Sequence, residues 1–388
     1  GDGAAFARDM LSLQNERVLT DDNAWTYEEG TPFLVDLVNA AGALPTRNWR
    51  TGQFEDAGRI DSAQLLQVRT RIRACTQCPL ACRQVHRFGD QVCEGPEFET
   101  LGLCGANCGV GDLEAIASFN RACDEVGLDT MSTGAVVALA MDLCERGAAD
   151  YGLAFGDTAA YLAAPGLIAA RESWGAELAL GARDLARLKG LPELAPHIKG
   201  LELPAYDPRG TFGMGLGYAT SDRGACHMRA FTAADDILGG EAPADSLEGK
   251  PALVAQQQNF SALAWTGVWC ANMYLDTDFI GVHLRHLWGR DVTHEEQMAT
   301  GERIWNLGRL LNLREGFTRI HDHLPAILDV PHPDGTAAGK TVGKVEFEAA
   351  LDEYYRLRGW DDDGVPTQET LTRLALDVRL PSGVRGRR

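Results

Sequence analysis

Basic residues are scarce. The 388-residue sequence has 36 Lys and Arg against 55 Asp and Glu, a net charge of −19 with histidine neutral. Nucleic-acid binding by phosphate neutralisation needs a clustered basic face, so DNA and RNA are not expected partners. Long apolar runs are also missing. A membrane span takes about 18–20 such residues, and the best stretch, Gly134 to Leu143, already contains Asp142. The opening Gly1-Asp2-Gly3 leads to Arg8-Asp9, with none of the basic start, apolar run and small-residue cleavage site of a secretory signal. There is no initiator Met, which predicts a piece of a longer chain. Neither a G-x-x-x-x-G-K-[ST] loop nor a usable G-x-G-x-x-G follows a strand pattern, and ordinary nucleotide chemistry drops in rank. Ten cysteines are too few for a disulfide scaffold, and most lie between Cys75 and Cys144. A reducing cytoplasm is the expected setting.

What is present is globular. Hydrophobic residues make up 45% and charged residues 23%, and a length of 388 predicts two or three domains at roughly 100–200 residues each. Apolar periodicity is helical nearly throughout, and β-branched runs of period two are rare, so the fold class is mainly α. Asp112-Leu-Glu-Ala-Ile-Ala-Ser-Phe starts a helix with an acidic first turn, and Gly127 is a natural stop. Ser132 or Thr133 is expected to cap the next helix, which ends at Gly147. Further helices are predicted over 157–172, 175–189, 295–312, 344–358 and 367–376. Between Leu188 and Gly217, four prolines are followed by Gly210, Gly213, Gly215 and Gly217, a composition expected to break regular structure. The boundary is therefore placed near residue 200, giving domains 1–200 and 201–388. The basic end, Arg385 to Arg388, reads as a frayed tail.

The sharpest local signal is Cys75-Thr-Gln-Cys78-Pro-Leu-Ala-Cys82. Such spacing lets one turn of backbone present several thiolates to a soft metal or an iron–sulfur cluster. Two other readings stay open: zinc with Cys93 or His86 as fourth ligand, or reduced core cysteines.

Several motifs in order carry a wider resemblance. They are Gly42-Ala-Leu-Pro-Thr-Arg-Asn, the C-x-x-C-P-x-x-C loop, Glu94-Gly-Pro-Glu-Phe-Glu-Thr100, and Asp124-Glu-Val-Gly-Leu-Asp-Thr-Met-Ser-Thr-Gly134. Then come Lys199-Gly to Tyr206-Asp-Pro-Arg-Gly, Arg223-Gly-Ala-Cys-His227, Asn306-Leu to Asn312-Leu-Arg-Glu-Gly316, and Tyr354-Tyr to Arg358-Gly-Trp-Asp with Pro366-Thr. Together they resemble the tungsten- or molybdenum-pterin aldehyde:ferredoxin oxidoreductases. That family has an N-terminal β-rich domain followed by two helical domains, and this sequence is similar to the two helical domains alone. In the family the β-rich domain covers one face of the bis-pterin.

The resemblance implies a four-iron four-sulfur cluster on Cys75, Cys78, Cys82 and the distant Cys270, the last clamping one helical domain to the other. It implies pterin contacts from Asp124, Gly127, Leu128 and Asp129, on freed backbone at a helix end, and from a second stretch, Trp265-Thr-Gly-Val-Trp269-Cys270. That stretch departs from the family pattern: Trp265 replaces an Asp, which removes a carboxylate contact to the second pterin, and Val268 stands where Gly is common. Glu99 and His227 match the catalytic positions, with Glu97 able to exchange roles with Glu99. Aldehyde oxidation needs a base for water and a donor for the carbonyl oxygen, roles that suit an imidazole and a carboxyl group. The implied reaction is oxidation of an aldehyde to a carboxylic acid, with electrons passing through the cluster to ferredoxin. Ferredoxins are usually acidic, so the −19 charge gives docking no support, and an iron–sulfur subunit is an alternative acceptor. A tungsten-dependent aromatic acyl-CoA reductase subunit and a non-catalytic iron–sulfur or zinc fragment are the rival readings. Self-association is open.

Remaining features read as structural. The other six cysteines, including Cys104 and Cys108, are core with a reserve for a second metal. His321-Asp-His323 is a surface feature, Asp361-Asp-Asp363 a solvated turn, and Trp265, Trp269 and Trp288 are core.

Overall fold

The computed structural model describes residues 3–376 except 22, 23, 77, 241 and 274, with backbone alone at 17 and 18. The basic end at 385–388 lies outside the described residues. Helices dominate, as the periodicity requires. Leu113–Val126 (α1) begins where the Asp112 carboxylate accepts from the N–H groups of Glu114, 3.1 Å, and Ala115, 3.2 Å. It ends as predicted at Gly127, whose φ of 74° lets Leu128 N–H reach the Cys123 carbonyl at 2.9 Å.

The next helix, Thr130–Glu145 (α2), is capped by Asp129 and not by Ser132 or Thr133. Its carboxylate accepts from Ser132 N–H at 2.7 Å, and it lies close enough because the Gly127 turn has already redirected the chain. From Thr133 to Leu143 every residue of α2 is buried, so the helix is apolar all round and forms the centre of the core. No single helix among the described residues is long and apolar enough to cross a membrane.

Two predicted helices are broken. The 157–172 prediction splits into Thr158–Tyr161 and Ala164–Ala170, because Pro165 fits only the first turn of a new helix. That over 175–189 splits into Gly175–Leu178 and Ala182–Leu188 at Gly181, where φ is 81°. The glycine-rich stretch goes the other way. Phe212–Thr220 (α3) is a helix with every residue buried, contrary to the expectation of irregular structure. Its glycines serve contact: a Cβ on Gly213 would stand 2.7 Å from Thr232 Oγ1, and one on Gly215 would stand 3.1 Å from Pro208 Cβ. Burial of this backbone outweighs the roughly 1 kcal/mol helix penalty of each glycine.

Two unpredicted helices follow, Lys250–Thr266 (α4) and Thr277–Trp288 (α5). The predicted 295–312 and 344–358 helices span His294–Arg314 (α6) and Lys344–Arg358 (α7), and 367–376 shortens to Gln368–Arg373. Also unpredicted is an antiparallel sheet of Arg69–Arg73 (β1), Arg83–Phe88 (β2) and Gln91–Glu94 (β3), which carries the cysteine loop between β1 and β2. One apolar core runs from Val35 to Trp360, and a separate small cluster of Leu263, Ala264, Ile280, Leu284 and Val292 lies under the 267–275 loop.

The segment from Lys199 to Arg209 is tied down by buried charge. Lys199 Nζ stands 2.7 Å from Asp322 Oδ1 and donates to the carbonyls of Ala219, 2.6 Å, and Ser221, 2.9 Å. Arg309 Nη1 donates to Asp322 Oδ2 at 2.8 Å, and the Tyr355 hydroxyl donates to the same atom. Burial would raise the Asp322 pKa, but the two cations hold it below the ordinary carboxylate value. Thus the aspartate between the two histidines of His321-Asp-His323 is a buried hub, and the histidines are its flanks. Asp207 is likewise buried against Arg209 and His332, while Arg209 donates to the Trp49 and Val330 carbonyls at 2.6 Å each.

Replacing Asp322 by Ala leaves Lys199 and Arg309 buried without a carboxylate. The expected loss is about 3–5 kcal/mol, read as a lower denaturant midpoint with an unchanged m-value.

Candidate active site

Glu99 lies in a short helical turn, Phe98–Thr100, that leads straight into buried backbone. Its Oε2 accepts from Ala205 N–H at 2.8 Å, which ties it to the charge-anchored segment. Its Oε1 faces His227 Nδ1 at 3.5 Å, and neither atom has a hydrogen-bond partner. The two side chains are 15% and 17% exposed, while the facing Oε1 and Nδ1 atoms are themselves buried. Burial raises the Glu99 pKa to about 8, the Ala205 N–H opposing and Asp129 adding to the rise. Burial also lowers His227 to about 4, helped by Arg223. With the carboxyl pKa above the imidazole's, the proton stays on Glu99. The contact is a neutral acid facing a neutral imidazole, not an ion pair.

Glu97 does not share this position: its carboxylate accepts from the Thr31 hydroxyl. Behind His227 stand aromatic rings, with Tyr206 at 5.9 Å and Phe231 at 6.3 Å, and Tyr206 packs on Phe98 at 4.9 Å.

The Asp124 to Asp129 stretch adjoins Glu99. Thr100 and Thr130 share a hydroxyl hydrogen bond of 2.8 Å, and Asp129 is close enough to raise the Glu99 pKa. Asp124, Gly127 and Asp129 are exposed and Leu128 is half-buried. The backbone there is less free than expected, since Leu128 N–H is bonded to Cys123 and one Asp129 oxygen caps α2. Open hydrogen-bonding capacity remains on the Asp124 and Asp129 carboxylates.

At the second stretch, the Arg229 guanidinium lies 3.8 Å over the Trp265 ring and its Nε donates to Asp222 at 2.6 Å. Trp265 is thus stacked on a cation two residues from His227. Trp269 packs edge-on against His283 at 4.7 Å and Phe279 at 6.3 Å, over the small second cluster. Trp265 and Trp269 are half-buried, and Trp288 is not core at all: it is 56% exposed at the end of α5, beside Arg290.

All ten cysteines are free thiols. Burial raises the Cys82 pKa, an Asn272 amide contact at 3.9 Å opposes this, and Glu97, Cys270 and Cys78 push it further up. Cys78, Cys82 and Cys270 therefore share one neighbourhood, whereas Cys75 is exposed beside Arg83. No group of three or more His, Cys, Asp or Glu among the described residues stands at metal-holding spacing. Thiols are nonetheless the donor type that an iron–sulfur cluster takes, and Glu97 is the carboxylate that stands near Cys82. The alternative fourth ligands point elsewhere. His86 and Cys93 pair in register on the inner face of the sheet, both buried, with His86 Nδ1 bonded to the Gly95 carbonyl at 2.8 Å. Cys104, Cys108, Cys123 and Cys226 are buried and Cys144 is half-buried.

Residues 11–376 match the family model described as aldehyde ferredoxin oxidoreductase, domains 2 and 3. The chain belongs to the aldehyde ferredoxin oxidoreductase family. It is 39% identical to the tungsten-containing aldehyde ferredoxin oxidoreductase of Pyrococcus furiosus and 38% identical to that of Thermococcus kodakarensis. Each match covers 89% of the chain and 60% of the relative, so this family member spans about 60% of the length of those relatives. An aliphatic sulfonate oxidoreductase subunit from Pyrococcus furiosus is 28% identical. The fold is shared with the active-site complex of benzoyl-coenzyme A reductase with 1,5-dienoyl-CoA, at a TM-score of 0.73 and 19% identity, over 96% of this chain and 64% of that one.

The proton inventory of this oxidoreductase-family site is testable. Difference infrared spectra of wild type minus Glu99→Gln should show a protonated carboxyl band at pH 7 that disappears with a midpoint near 8. Between 6.5 and about 8 the native state retains a proton that the unfolded state has lost, so stability should fall with rising pH in that window, and less so in the variant. A band absent at pH 7 would show an ionised Glu99.

Proposed function

We propose that this chain carries the helical part of an oxidoreductase that converts an aldehyde to its carboxylic acid at a tungsten (or molybdenum) bis-pterin, with a four-iron four-sulfur cluster as the electron exit. The single observation that carries the reading is the buried, unpartnered Glu99–His227 pair beside the Asp124 to Asp129 stretch. The names of the 37–39% identical relatives support the tungsten and aldehyde assignments. The acyl-CoA reductase reading rests on a 19% identical fold neighbour and ranks below it.

The two orphaned atoms and the exposed carboxylates fit a metal–pterin group, whose pterin Asp124 and Asp129 would hold on the first side, with Trp265 and Arg229 stacked at the second stretch. Cys75, Cys78, Cys82 and Cys270 would hold the cluster. When bound, these groups supply a two-electron acceptor and a path outward. The overall change is aldehyde plus water to carboxylic acid, two protons and two electrons. His227 Nδ1, neutral and without a donor, accepts the proton of the attacking water. Glu99 Oε1–H donates a hydrogen bond to the carbonyl oxygen as negative charge develops there, in a site where burial strengthens that bond. The Ala205 N–H fixes the carboxyl group through Oε2 and leaves Oε1 free of other partners. Ferredoxin, or an iron–sulfur subunit, would take the electrons.

The test is anaerobic purification with iron, acid-labile sulfide, zinc, tungsten and molybdenum quantified, for wild type, Cys270→Ser and Cys93→Ser. About four irons and four sulfides per chain are expected in wild type and Cys93→Ser, with depletion in Cys270→Ser. Zinc without sulfide would overturn the reading.

A further inference from the structure

The arginines of this chain are unevenly placed. Five of them, Arg69, Arg71, Arg73, Arg83 and Arg87, fall on β1 and β2, either side of the cysteine loop. We propose that the outward face of the β1–β2–β3 sheet is the docking surface for an acidic one-electron carrier protein. The proposal rests on the cluster reading above, since it places the carrier against the loop bearing Cys75, Cys78 and Cys82.

The register puts the charges together. Arg73 is directly opposite Arg83, Arg71 opposite Val85, Val85 opposite Glu94, and Arg87 opposite Val92. Directly opposed residues share a face, so Arg71, Arg73, Arg83 and Arg87 project on one side with Glu94, Val92 and Val85, the last buried among them at 3% exposure. The alternate residues Gln84, His86 and Phe88 are buried on the other side. Glu94 pairs with both Arg73, at 3.3 Å, and Arg83. Arg71 and Arg87 are exposed and have no carboxylate partner among the described residues. On the face itself four arginines against one glutamate leave a net of three positive charges, and Asp90 at the β2–β3 turn, Glu97 near Arg83 and Asp124 near Glu94 are the nearby opposing groups.

Such an arrangement is not explained by sheet stability. Like charges directly across a strand pair are destabilising, and Arg73 facing Arg83 is tolerated through Glu94. The patch instead answers the problem set by the net charge. A chain of −19 repels an acidic partner at long range, but screening confines that repulsion to about 8 Å at physiological salt. At contact the local field decides, and here it is positive. It also adjoins the exit thiols, because the Arg83 guanidinium sits beside Cys75. Exposed Val92 adds an apolar contact at the patch edge.

The experiment measures association of the anaerobically purified chain with an acidic four-iron four-sulfur ferredoxin by surface plasmon resonance, across ionic strength. The partners are wild type and an Arg71→Glu/Arg87→Glu variant, whose side chains hold no structural contact. The wild-type on-rate should fall as salt rises. The variant should associate about tenfold more slowly at low salt, with a flattened or inverted salt slope, within the range of electrostatic steering. Iron and sulfide content and the rate of reduction by methyl viologen should be unchanged in the variant. Identical on-rates and slopes for both proteins would overturn the docking surface. Loss of sulfide in wild type would overturn the cluster reading instead, while the binding comparison, which needs no electron transfer, still reports on the arginines.

Discussion

Everything near the Glu99–His227 pair depends on burying charge in the segment from Lys199 to Arg209. Taking ions out of water costs several kcal/mol each unless partners and hydrogen bonds replace the solvent. Here Lys199 is matched by Asp322 and two carbonyls, and Asp207 by Arg209 and His332. These contacts reach into α3, α6, α7 and the Trp49 region at once. The Ala205 N–H that fixes Glu99 lies between the two buried ion pairs, so the acid inherits its position from electrostatics several residues away.

The same burial sets the chemistry. Removing water from Glu99 and His227 without giving either an ionic partner makes both neutral, one as a proton donor and the other as an acceptor. Two groups that would form an ordinary salt bridge in water stand instead as a neutral acid beside a neutral base. The aromatic rings of Tyr206, Phe231 and Phe98 maintain that dry environment.

Helix identity and many helix ends were legible because their determinants are local: Asp112 and Gly127 act within one turn, and the long α6 and α7 patterns carry their own periodicity. The cysteine loop was legible from spacing. The sheet around it was not, because β1 alternates in charged residues (Arg69, Arg71, Arg73) and not in the apolar residues that mark a half-buried strand. The glycines of α3 misled in the opposite sense: their meaning lies in what packs against them. Asp322 was overlooked between two histidines, since its partners lie at 199, 309 and 355 in the chain. Glu99 and His227 were named from family resemblance, and neither their apposition nor their neutrality can be read from one dimension.

The packing of α3 has a mechanical consequence. A helix buried at every position, with its glycines in contact and its C-terminal carbonyls clasped by the Lys199 ammonium, offers no place to bend. The frame behind the Glu99–His227 pair is therefore stiff. Compliance has to reside in the rim, where Val268 takes a left-handed backbone conformation at φ 58° and is 90% exposed. Any opening that admits a substrate or accommodates a prosthetic group would then be a movement of the edge toward or away from a fixed anvil, never a deformation of the anvil itself.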